Sequence, residues 1–258
     1  MAKNLVDLNC DLGESFGAYK LGEDGEVIKY ITSANVACGY HASDPLVMSE
    51  TVKMCKDYGV AVGGHPGFPD LLGFGRRNID VTPTEAKTYV QYQAGAIDAF
   101  CRAHGVRLQH IKPHGALYNM AGKDILLARA ICEGLKEFDK DIILLGLSGS
   151  AMIIAAEEAG LKVAKEVFAD RGYEDDGSLV KRGKPGAMIE DENQAIERVI
   201  RMVKDGKVKS VNGRDIDIKA DSVCVHGDGP KALDFVKKIN AKLTESGVKL
   251  ASIREIIK

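Results

Sequence analysis

The sequence lacks the features that mark several classes of protein. Its six cysteines stand at scattered positions without a CxxC pair, a spacing typical of reduced thiols rather than of disulfides or a zinc knuckle. No apolar run is long enough to cross a membrane, and the first residues lack a signal peptide's apolar segment. The formal net charge of −2 argues against a surface for nucleic acid or anionic lipid. We therefore expect a soluble cytoplasmic protein.

Local catalytic motifs are also missing. The sequence contains no Walker GxxxxGK[ST] motif, no GxGxxG, no GxSxG, and neither HxH nor HExxH. The turn at 146–150 precedes a predicted helix whose amides would suit an anion. Because the Walker motif is missing, an ATP site, if ATP is used, is of another type or belongs to a partner protein.

What the sequence does contain is a regular alternation of strands and helices. Seven predicted buried strands alternate with helical segments along the 258 residues, which calls for parallel strands joined by crossover connections. We expect one α/β domain over residues 1–258, with long loops at 66–81 and 172–190 and a β-hairpin at 208–218.

The first predicted strand has an unusual face. Asp7, Asn9 and Asp11 alternate with Leu8 and Cys10, so one face of the strand presents two carboxylates and an amide. Burying these groups costs several kcal/mol unless a metal, a substrate or hydrogen-bond donors meet them. The interpretation is a functional interior face; the alternative is an edge strand with one face in water.

Polar side chains also follow the other strands. In a closed barrel all strand ends meet at one mouth, whereas in an open doubly wound sheet only those near the switch point meet. So many polar strand ends favour a TIM-like (β/α)7 barrel with parallel strands. The clusters are Asp11 and Glu14, His41 and Asp44, His65 and Asp70, Lys112 and His114, Asp170 and Arg171, and His226 and Asp228.

The histidines at these strand ends suggest metal binding or acid–base chemistry. An Asp with two His is a plausible divalent-metal set, here Asp11, His41 and His65. The alternative is that individual histidines, His226 above all, are hydrogen-bonded structural residues. No local spacing joins the proposed ligands into a motif, so both interpretations stay open.

Two further histidines are interpreted as structural. His104 lies at the end of a predicted helix, where its cationic form complements the helix dipole. His110 lies deeper in the predicted barrel, where a buried side chain can be satisfied by hydrogen bonds.

Several cations are candidates for binding an anionic group. Lys112 lies at an inward strand end, where a lysine is rarely unpaired; it could hold a carboxylate or phosphate, or pair with Asp7 or Asp11. Arginines in long loops suit bidentate binding of an anion, although a solvated surface position is the alternative. They are Arg76, Arg77, Arg171 and Arg182.

Five ordered stretches together resemble the LamB/YcsF family, with a match over essentially the whole chain. Ala169-Asp-Arg171 and His226-Gly-Asp228 extend the resemblance, and Tyr40 and Ser43 stand where Phe and Gly are usual. The stretches are DLNCDLGE at 7–14, SANVACGYHASDP at 33–45, GHPGFPD at 64–70, FGRR at 74–77 and KPHGALYN at 112–119.

The resemblance implies a (β/α)7 barrel related to polysaccharide-deacetylase-like hydrolases. It also implies the A subunit of a prokaryotic 5-oxoprolinase, which opens 5-oxo-L-proline (pyroglutamate) to L-glutamate with conversion of ATP to ADP and phosphate. The partners would be 5-oxoprolinase subunits B and C. ATP would be the cofactor, with Mg²⁺ accompanying the nucleotide; which of the three chains binds ATP and whether a metal is present in this one are left open.

We hypothesise roles for the strand-end residues. Asp11 and His65 would act as general base and its orienting partner, while His41 and His114 would lie near the reacting carbonyl. Lys112 and Arg77 would hold anionic groups. Glu14 completes the catalytic candidates; the substrate- or phosphate-binding candidates are Asn9, Asn35, Asp70, Arg76, Arg77, Arg171, His226 and Asp228.

Two other functions compete with this one. The first is a stand-alone metal-dependent deacetylase or amidohydrolase, suggested by Asp and His at a barrel mouth. The second is a non-catalytic subunit that binds substrate or stabilises its partners. Bound zinc would favour the first, and activity that tolerates substitution of Asp11, His65 and Lys112 would favour the second.

Overall fold

The protein is a closed parallel barrel in the computed structural model, which describes residues 5–225 and 232–257. Seven strands lie in the order β1-β2-β3-β4-β5-β6-β9, and β9 pairs back onto β1. The prediction of a (β/α)7 barrel is confirmed. The strands are β1 (Leu5–Leu12), β2 (Ser33–Ala37), β3 (Ala61–His65), β4 (Leu108–Ile111), β5 (Ile143–Leu147), β6 (Lys162–Phe168), β7 (Lys207–Lys209), β8 (Asp215–Asp217), β9 (Ser222–Val225) and β10 (Lys249–Leu250).

Helices pack around the barrel between successive strands. A 3-10 turn, Ile28–Tyr30, continues directly from the first short helix. No helix within the described ranges is both long and apolar enough to cross a membrane. The α-helices are α1 (Asp24–Val27), α2 (Pro45–Tyr58), α3 (Pro83–His104), α4 (Gly115–Ala121), α5 (Ile125–Phe138), α6 (Ala151–Ala159), α7 (Glu192–Asp205), α8 (Ala232–Glu245) and α9 (Ile253–Ile256).

The ends of α2 and α3 follow from local sequence. The Asp44 side chain accepts hydrogen bonds from the first amides of α2, and Gly59 ends that helix with φ 69°, which glycine adopts without strain. Thr82 and Glu85 form a reciprocal capping box at the start of α3. These ends place the strand that follows each helix, and therefore the residues at its carboxyl end.

Two pieces of structure were not predicted. The short helix α4 begins directly after His114, in a stretch whose Pro113 and Gly115 are typical of a loop. Near the other end of the chain, β10 pairs with the start of β1, and α9 follows it. Ile253 of α9 packs inside the barrel base against Ile143 of β5 and neighbouring apolar residues, so α9 closes the end opposite the mouth.

The main hydrophobic core lies between the barrel wall and the helices. Leu8 and Cys10 point outward from β1 into this core, which leaves the alternate residues of β1 facing the barrel interior. β7 and β8 form an antiparallel hairpin outside the barrel, and its turn contains Gly213 with φ 82°. The loop after Arg171 is tied back by the Arg171–Met188 and Tyr173–Leu179 bridges.

Candidate active site

The inward face of β1 forms the floor of the site. Asp7 and Asn9 are fully buried, and the Asp11 side chain is 16% exposed at the rim. Because β1 pairs with β2 on one side and β9 on the other, it is not an edge strand. That alternative is wrong, and the polar face of β1 lies inside the barrel.

Asp7 occupies the deepest position and is satisfied by hydroxyl groups. Thr32 and Ser33 each donate to Asp7 Oδ1 at 2.6 Å, and Ser222 donates to Oδ2. Burial raises the pKa of Asp7 to about 6, against the lowering effect of these hydroxyls. The suggested pairing of Asp7 with Lys112 is wrong, because the carboxylate is held by these hydroxyls deeper in the barrel.

Lys112 is the central cation of the interior, and its Nζ lies between two carboxylates. It is 3.0 Å from Asp11 Oδ1 and 2.9 Å from Glu166 Oε1. Burial by itself would lower the pKa of Lys112, but the charges of Asp11 and Glu166 raise it well above its ordinary value. Lys112 is therefore a fixed ammonium directly beneath the mouth.

Asn9 and Asn35 form a layer beneath this ion pair. Asn35 Nδ2 donates to Asn9 Oδ1 at 2.7 Å and to Asp11 Oδ1 at 2.8 Å. His110 Nε2 contacts Asn35 Oδ1 at 2.7 Å, so His110 is the satisfied buried side chain that the sequence indicated. The two amides, which we expected to contact substrate, are fully buried. Asn35 orients Asp11 instead, and Asn9 donates to the Ser222 hydroxyl.

Three histidines and a glutamate cluster beside Lys112. The ligand atoms of Glu14, His41, His65 and His114 all lie within 4.8 Å of one another. His65 Nε2 is 2.9 Å from His114 Nδ1, and His41 Nε2 is 3.2 Å from Glu14 Oε1. Asp11 approaches this cluster at His65, where Oδ2 lies 3.3 Å from Nε2. The strand ends of β1 to β4 thus converge, as the sequence predicted for a barrel.

The backbone fixes the orientation of two of these rings. His65 Nδ1 donates to the Lys112 carbonyl at 2.7 Å, and His114 Nε2 donates to the Phe74 carbonyl at 2.8 Å. The His41 ring stacks on His114 with centroids 3.6 Å apart and planes at 3°. Burial lowers the pKa of His114 to about 3 and that of His41 well below its ordinary value, so both rings are neutral.

The loop at 66–81 packs over this cluster. Gly75 has φ 61°, and a Cβ there would lie 2.7 Å from His41 Cβ. Asp70 and Arg77 form an ion pair with each other, which braces the loop. Because its guanidinium is held by Asp70, Arg77 does not take the anion-binding role expected of it. Arg76 lines the cavity above the mouth, with its guanidinium 5.0 Å from the Phe74 ring centroid.

The second long loop covers the opposite side of the mouth. Arg171 is buried and donates to the carbonyls of Val180 at 2.7 Å and Ala187 at 3.2 Å, so it fastens this loop. Arg182 is exposed and lines the cavity with residues 176–181. His226 and Asp228, which the sequence suggested as binding residues, lie outside the described residues.

A cavity of about 1120 Å³ opens above these side chains. Asp11, Glu14, His65, Lys112 and His114 line one side, and the turn before α6 together with the second loop lines the other. Carboxylates beside imidazoles can exchange protons with a bound molecule, and the fixed ammonium can stabilise negative charge that develops there. The cavity can therefore support acid–base chemistry on an anionic or polarised ligand.

Glu166 and Tyr118 belong to the site but were not predicted. Glu166 Oε2 accepts a hydrogen bond from the Tyr118 hydroxyl at 2.6 Å, and Oε1 faces Lys112. A signal was present, because Glu166 alternates with Ala164 and Phe168 on one face of β6. For Tyr118 there was no such signal, since its position depends on the unpredicted helix α4.

Comparisons with known proteins agree on the family. The model of the LamB/YcsF family matches residues 6–258. The A subunit of 5-oxoprolinase from Clostridium beijerinckii is 66% identical over 97% of this chain and 98% of that protein; that of Pyrococcus horikoshii is 59% identical over 98% and 99%. The crystal structure of a lactam utilization protein from Thermus thermophilus has 43% identity and a TM-score of 0.91, covering 96% of this chain and 99% of that one. The chain therefore belongs to the LamB/YcsF family.

Proposed function

We propose that this chain is the A subunit of a 5-oxoprolinase that uses ATP to open 5-oxo-L-proline to L-glutamate. The observation that carries the proposal is the pair of ion pairs that Lys112 forms with Asp11 and Glu166, beside the histidine cluster at the barrel mouth. Relatives of 66% and 59% identity are named as this subunit of 5-oxoprolinase. The family and the site chemistry thus support the same activity.

The reaction needs activation because a five-membered lactam is an unreactive amide. Transfer of the γ-phosphoryl group of ATP to the lactam oxygen forms an O–P bond and releases ADP. Water then adds to the activated carbon, the ring C–N bond breaks, and a second water releases phosphate from the resulting γ-glutamyl phosphate. The site must supply a base for water and positive charge for the phosphoryl oxygens.

The described residues suit these tasks. Asp11 would accept the proton of the attacking water, oriented by Asn35 and Lys112 at its Oδ1. His65 Nε2 lies 3.3 Å from its Oδ2. His114 and Glu14 would lie near the reacting carbonyl, with His41 behind them, where the neutral imidazoles can donate or accept a proton. Lys112 would stabilise the charge on the lactam oxygen. Arg76, rather than Arg77, has the position to meet an anionic group, because it lines the cavity.

The size of the cavity supports a second ligand beside the lactam. Sites for drug-sized molecules are typically roughly 300–1,000 Å³, and 5-oxoproline is much smaller than such a molecule, whereas the cavity here is about 1120 Å³. Ser150, at the start of α6, lies in its wall with a buried Oγ that has no hydrogen-bond partner among the described residues. We place the phosphates of ATP, with Mg²⁺, on this side of the cavity.

Partner subunits B and C and a cytoplasmic location complete the proposal. The relatives are named as one subunit of an enzyme, which supports an assembly with other subunits. The six cysteines are buried and free of disulfides, which suits a reducing compartment.

The test is 5-oxoproline-dependent ATP hydrolysis, measured with this chain by itself and then with B and C. We expect glutamate, ADP and phosphate in equal amounts only from the three together. D11N should lower turnover at least ~100-fold, in the range of a lost general base, while H104N, remote from the mouth, should match wild type. An unchanged rate with D11N would contradict the role of Asp11, and absence of glutamate with both partners would contradict the function.

A stand-alone amidohydrolase is the second candidate, favoured by the histidine–glutamate cluster. It would open lactams or deacetylate amides without ATP and without partners. The same assay separates the two functions, because product formed by this chain in the absence of ATP would support the amidohydrolase.

A further inference from the structure

His65 and His114 each turn one ring nitrogen toward the other. The outer nitrogen of each ring donates a proton to a backbone carbonyl, from His65 Nδ1 to Lys112 and from His114 Nε2 to Phe74. A carbonyl can only accept, so each outer nitrogen carries the hydrogen, and in a neutral ring the inner nitrogen then carries a lone pair. The two inner nitrogens are 2.9 Å apart. Two lone pairs at this distance repel unless positive charge lies between or beside them.

A carboxylate lies at the same point. Glu14 Oε1 is 3.8 Å from His114 Nδ1, and Glu14, His65 and His114 each offer one ligand atom to the group whose atoms lie within 4.8 Å of one another. Donor atoms about 2.0–2.1 Å from a tetrahedral ion are roughly 3.3 Å from one another. The distances from His114 Nδ1 to His65 Nε2, 2.9 Å, and to Glu14 Oε1, 3.8 Å, lie on either side of that spacing. The acceptor carbonyls behind each imidazole are the partners that metal-binding histidines usually have.

His41 has a different part in this arrangement. Its ring is parallel to that of His114 at 3.6 Å, so the in-plane lone pairs of the two rings cannot both point at one ion between them. His41 Nε2 lies 3.2 Å from Glu14 Oε1 and is placed to hold that carboxylate. Asp11, suggested from the sequence as a ligand, has one oxygen on Lys112 and the other near His65.

We propose that Glu14, His65 and His114 bind one divalent metal ion, with His41 as the residue that positions Glu14. Two imidazoles and a carboxylate form a borderline donor set of the kind that zinc and its first-row neighbours prefer. Such an ion would supply a Lewis acid at the mouth, beside Lys112. The proposal concerns metal binding by this chain and does not depend on the proposed activity.

The site can be tested by metal content without any activity assay. The untagged full-length chain is dialysed separately against zinc, cobalt or manganese, and the bound metal is measured by plasma mass spectrometry. We expect about one equivalent of at least one of these ions. The cobalt form should show ligand-field bands without an intense thiolate charge-transfer band, because the six cysteines lie outside the cluster.

The histidine variants remove a ligand atom while keeping its supporting bond, and E14Q removes the negative charge of the carboxylate ligand. H65N retains a donor near Nδ1 and removes Nε2; H114Q retains a donor near Nε2 and removes Nδ1; E14Q is isosteric. Each should bind less than about a tenth of an equivalent under conditions that saturate wild type. H41N should still bind one equivalent, but about 10–100-fold more weakly, as for loss of a ligand's supporting residue. H104N is the matched control and should bind as wild type does.

Two results would overturn the proposal. One is wild-type protein that takes up none of the three ions, in which case a shared proton joins His65 to His114. The other is metal retained in full by folded H65N, H114Q and E14Q. Circular dichroism and thermal melting establish folding, and if a variant fails to fold, the wild-type stoichiometry and the cobalt spectrum still decide the question.

Discussion

At the scale of single residues, the barrel interior shows how polar groups are made stable by their immediate neighbours. Asp7 and Glu166 are both carboxylates without exposure to solvent, yet they are stabilised differently. Asp7 accepts bonds from three hydroxyls, whereas Glu166 faces an ammonium and a phenol. Burial keeps the pKa of Asp7 raised although the hydroxyls lower it, whereas Glu166 is paired with the Lys112 ammonium.

The pKa of Asp7 predicts a pH-dependent stability. Because it is raised from 3.8 to about 6, the folded state binds more protons than the unfolded state between these values, and stability falls as pH rises through that window. A shift of about two units corresponds to about 3 kcal/mol. The free energy of unfolding of D7N minus that of wild type should therefore increase by about this amount from pH 4 to pH 7, measured by urea denaturation.

The control is a carboxyl group whose pKa shifts in the opposite direction. Asp57 is exposed and its hydrogen bond to Lys53 lowers its pKa, so D57N minus wild type should not increase over the same pH range. If the free energy of unfolding of D7N minus that of wild type did not change from pH 4 to pH 7, Asp7 would be ionised over this whole range in the folded protein.

The ion pair between Lys112 and Glu166 predicts that substitutions of these two residues have coupled effects on the free energy of unfolding. K112M leaves Glu166 buried without its cation and should lower the free energy of unfolding by about 3–5 kcal/mol. The double variant K112M/E166Q should recover part of this loss, since one uncompensated carboxylate is removed while the hydrogen bond with Tyr118 can persist. Denaturant titration of the two single variants and the double variant measures the coupling. A double variant no more stable than K112M would contradict the pairing.

At the scale of elements, the loop at 66–81 is shaped by close approach to the histidines. Gly75 has a left-handed backbone, and its carbonyl accepts from the Ala116 amide of α4 at 2.8 Å. Phe74, with φ 54°, is one of two non-glycine residues at positive φ in the described chain. Strain of this kind persists where the surroundings over-determine the backbone, so the loop and α4 act as one support for His114.

Substitution of Gly75 should disturb the site more than substitution of a glycine with the same backbone strain. In G75A the new Cβ would meet His41 Cβ at 2.7 Å and His114 Cδ2 at 2.9 Å. Gly177 also has positive φ, 82°, but a Cβ there has no neighbour within 4 Å. We expect G177A to cost about 1–2 kcal/mol from strain alone, and G75A to cost more and to abolish turnover. Equal effects of the two on stability would rule out the steric explanation.

The ends of α2 and α3 can be predicted from the sequence because they are encoded locally. Asp44 and Gly59 bound α2, and Thr82 begins α3, because caps act on the neighbouring amides. By contrast α4 and α9 are short and depend on contacts made by the folded barrel, so the local pattern carried little signal. The same reason explains the site: the inward face of β1 was visible in the alternation of Asp7, Asn9 and Asp11, but its partner Glu166 comes from β6 and is joined to it only by the fold.

At the scale of the whole molecule, the two ends of the barrel have separate tasks. The mouth holds the polar cluster, while the base is closed by α9, where Ile253 is fully buried against Ile143, Leu145 and Ala164. In barrels of this kind the carboxyl ends of the strands carry function and the opposite end carries stability.

A substitution at the base should therefore separate stability from activity. I253A should lower the free energy of unfolding by about 2–5 kcal/mol, as for other truncations of buried isoleucine, with turnover per folded molecule nearly unchanged at a temperature well below melting. I154A, at a site 50% exposed on α6, is the control and should stay within about 0.5 kcal/mol of wild type. Loss of turnover in folded I253A would show that the base and mouth are coupled.

The closure of β9 onto β1 also sets an order of events during synthesis. Ser222 donates to Asp7 across a separation of 215 residues, and β1 has no neighbour on that side until β9 is made. At translation rates of about 5–20 residues per second, the first strand is out of the ribosome for roughly ten seconds or more before β9 emerges. Throughout that interval the nascent chain carries an open sheet edge, and Asp7 lacks the Ser222 hydroxyl, so it is in this window that chaperones have most to protect.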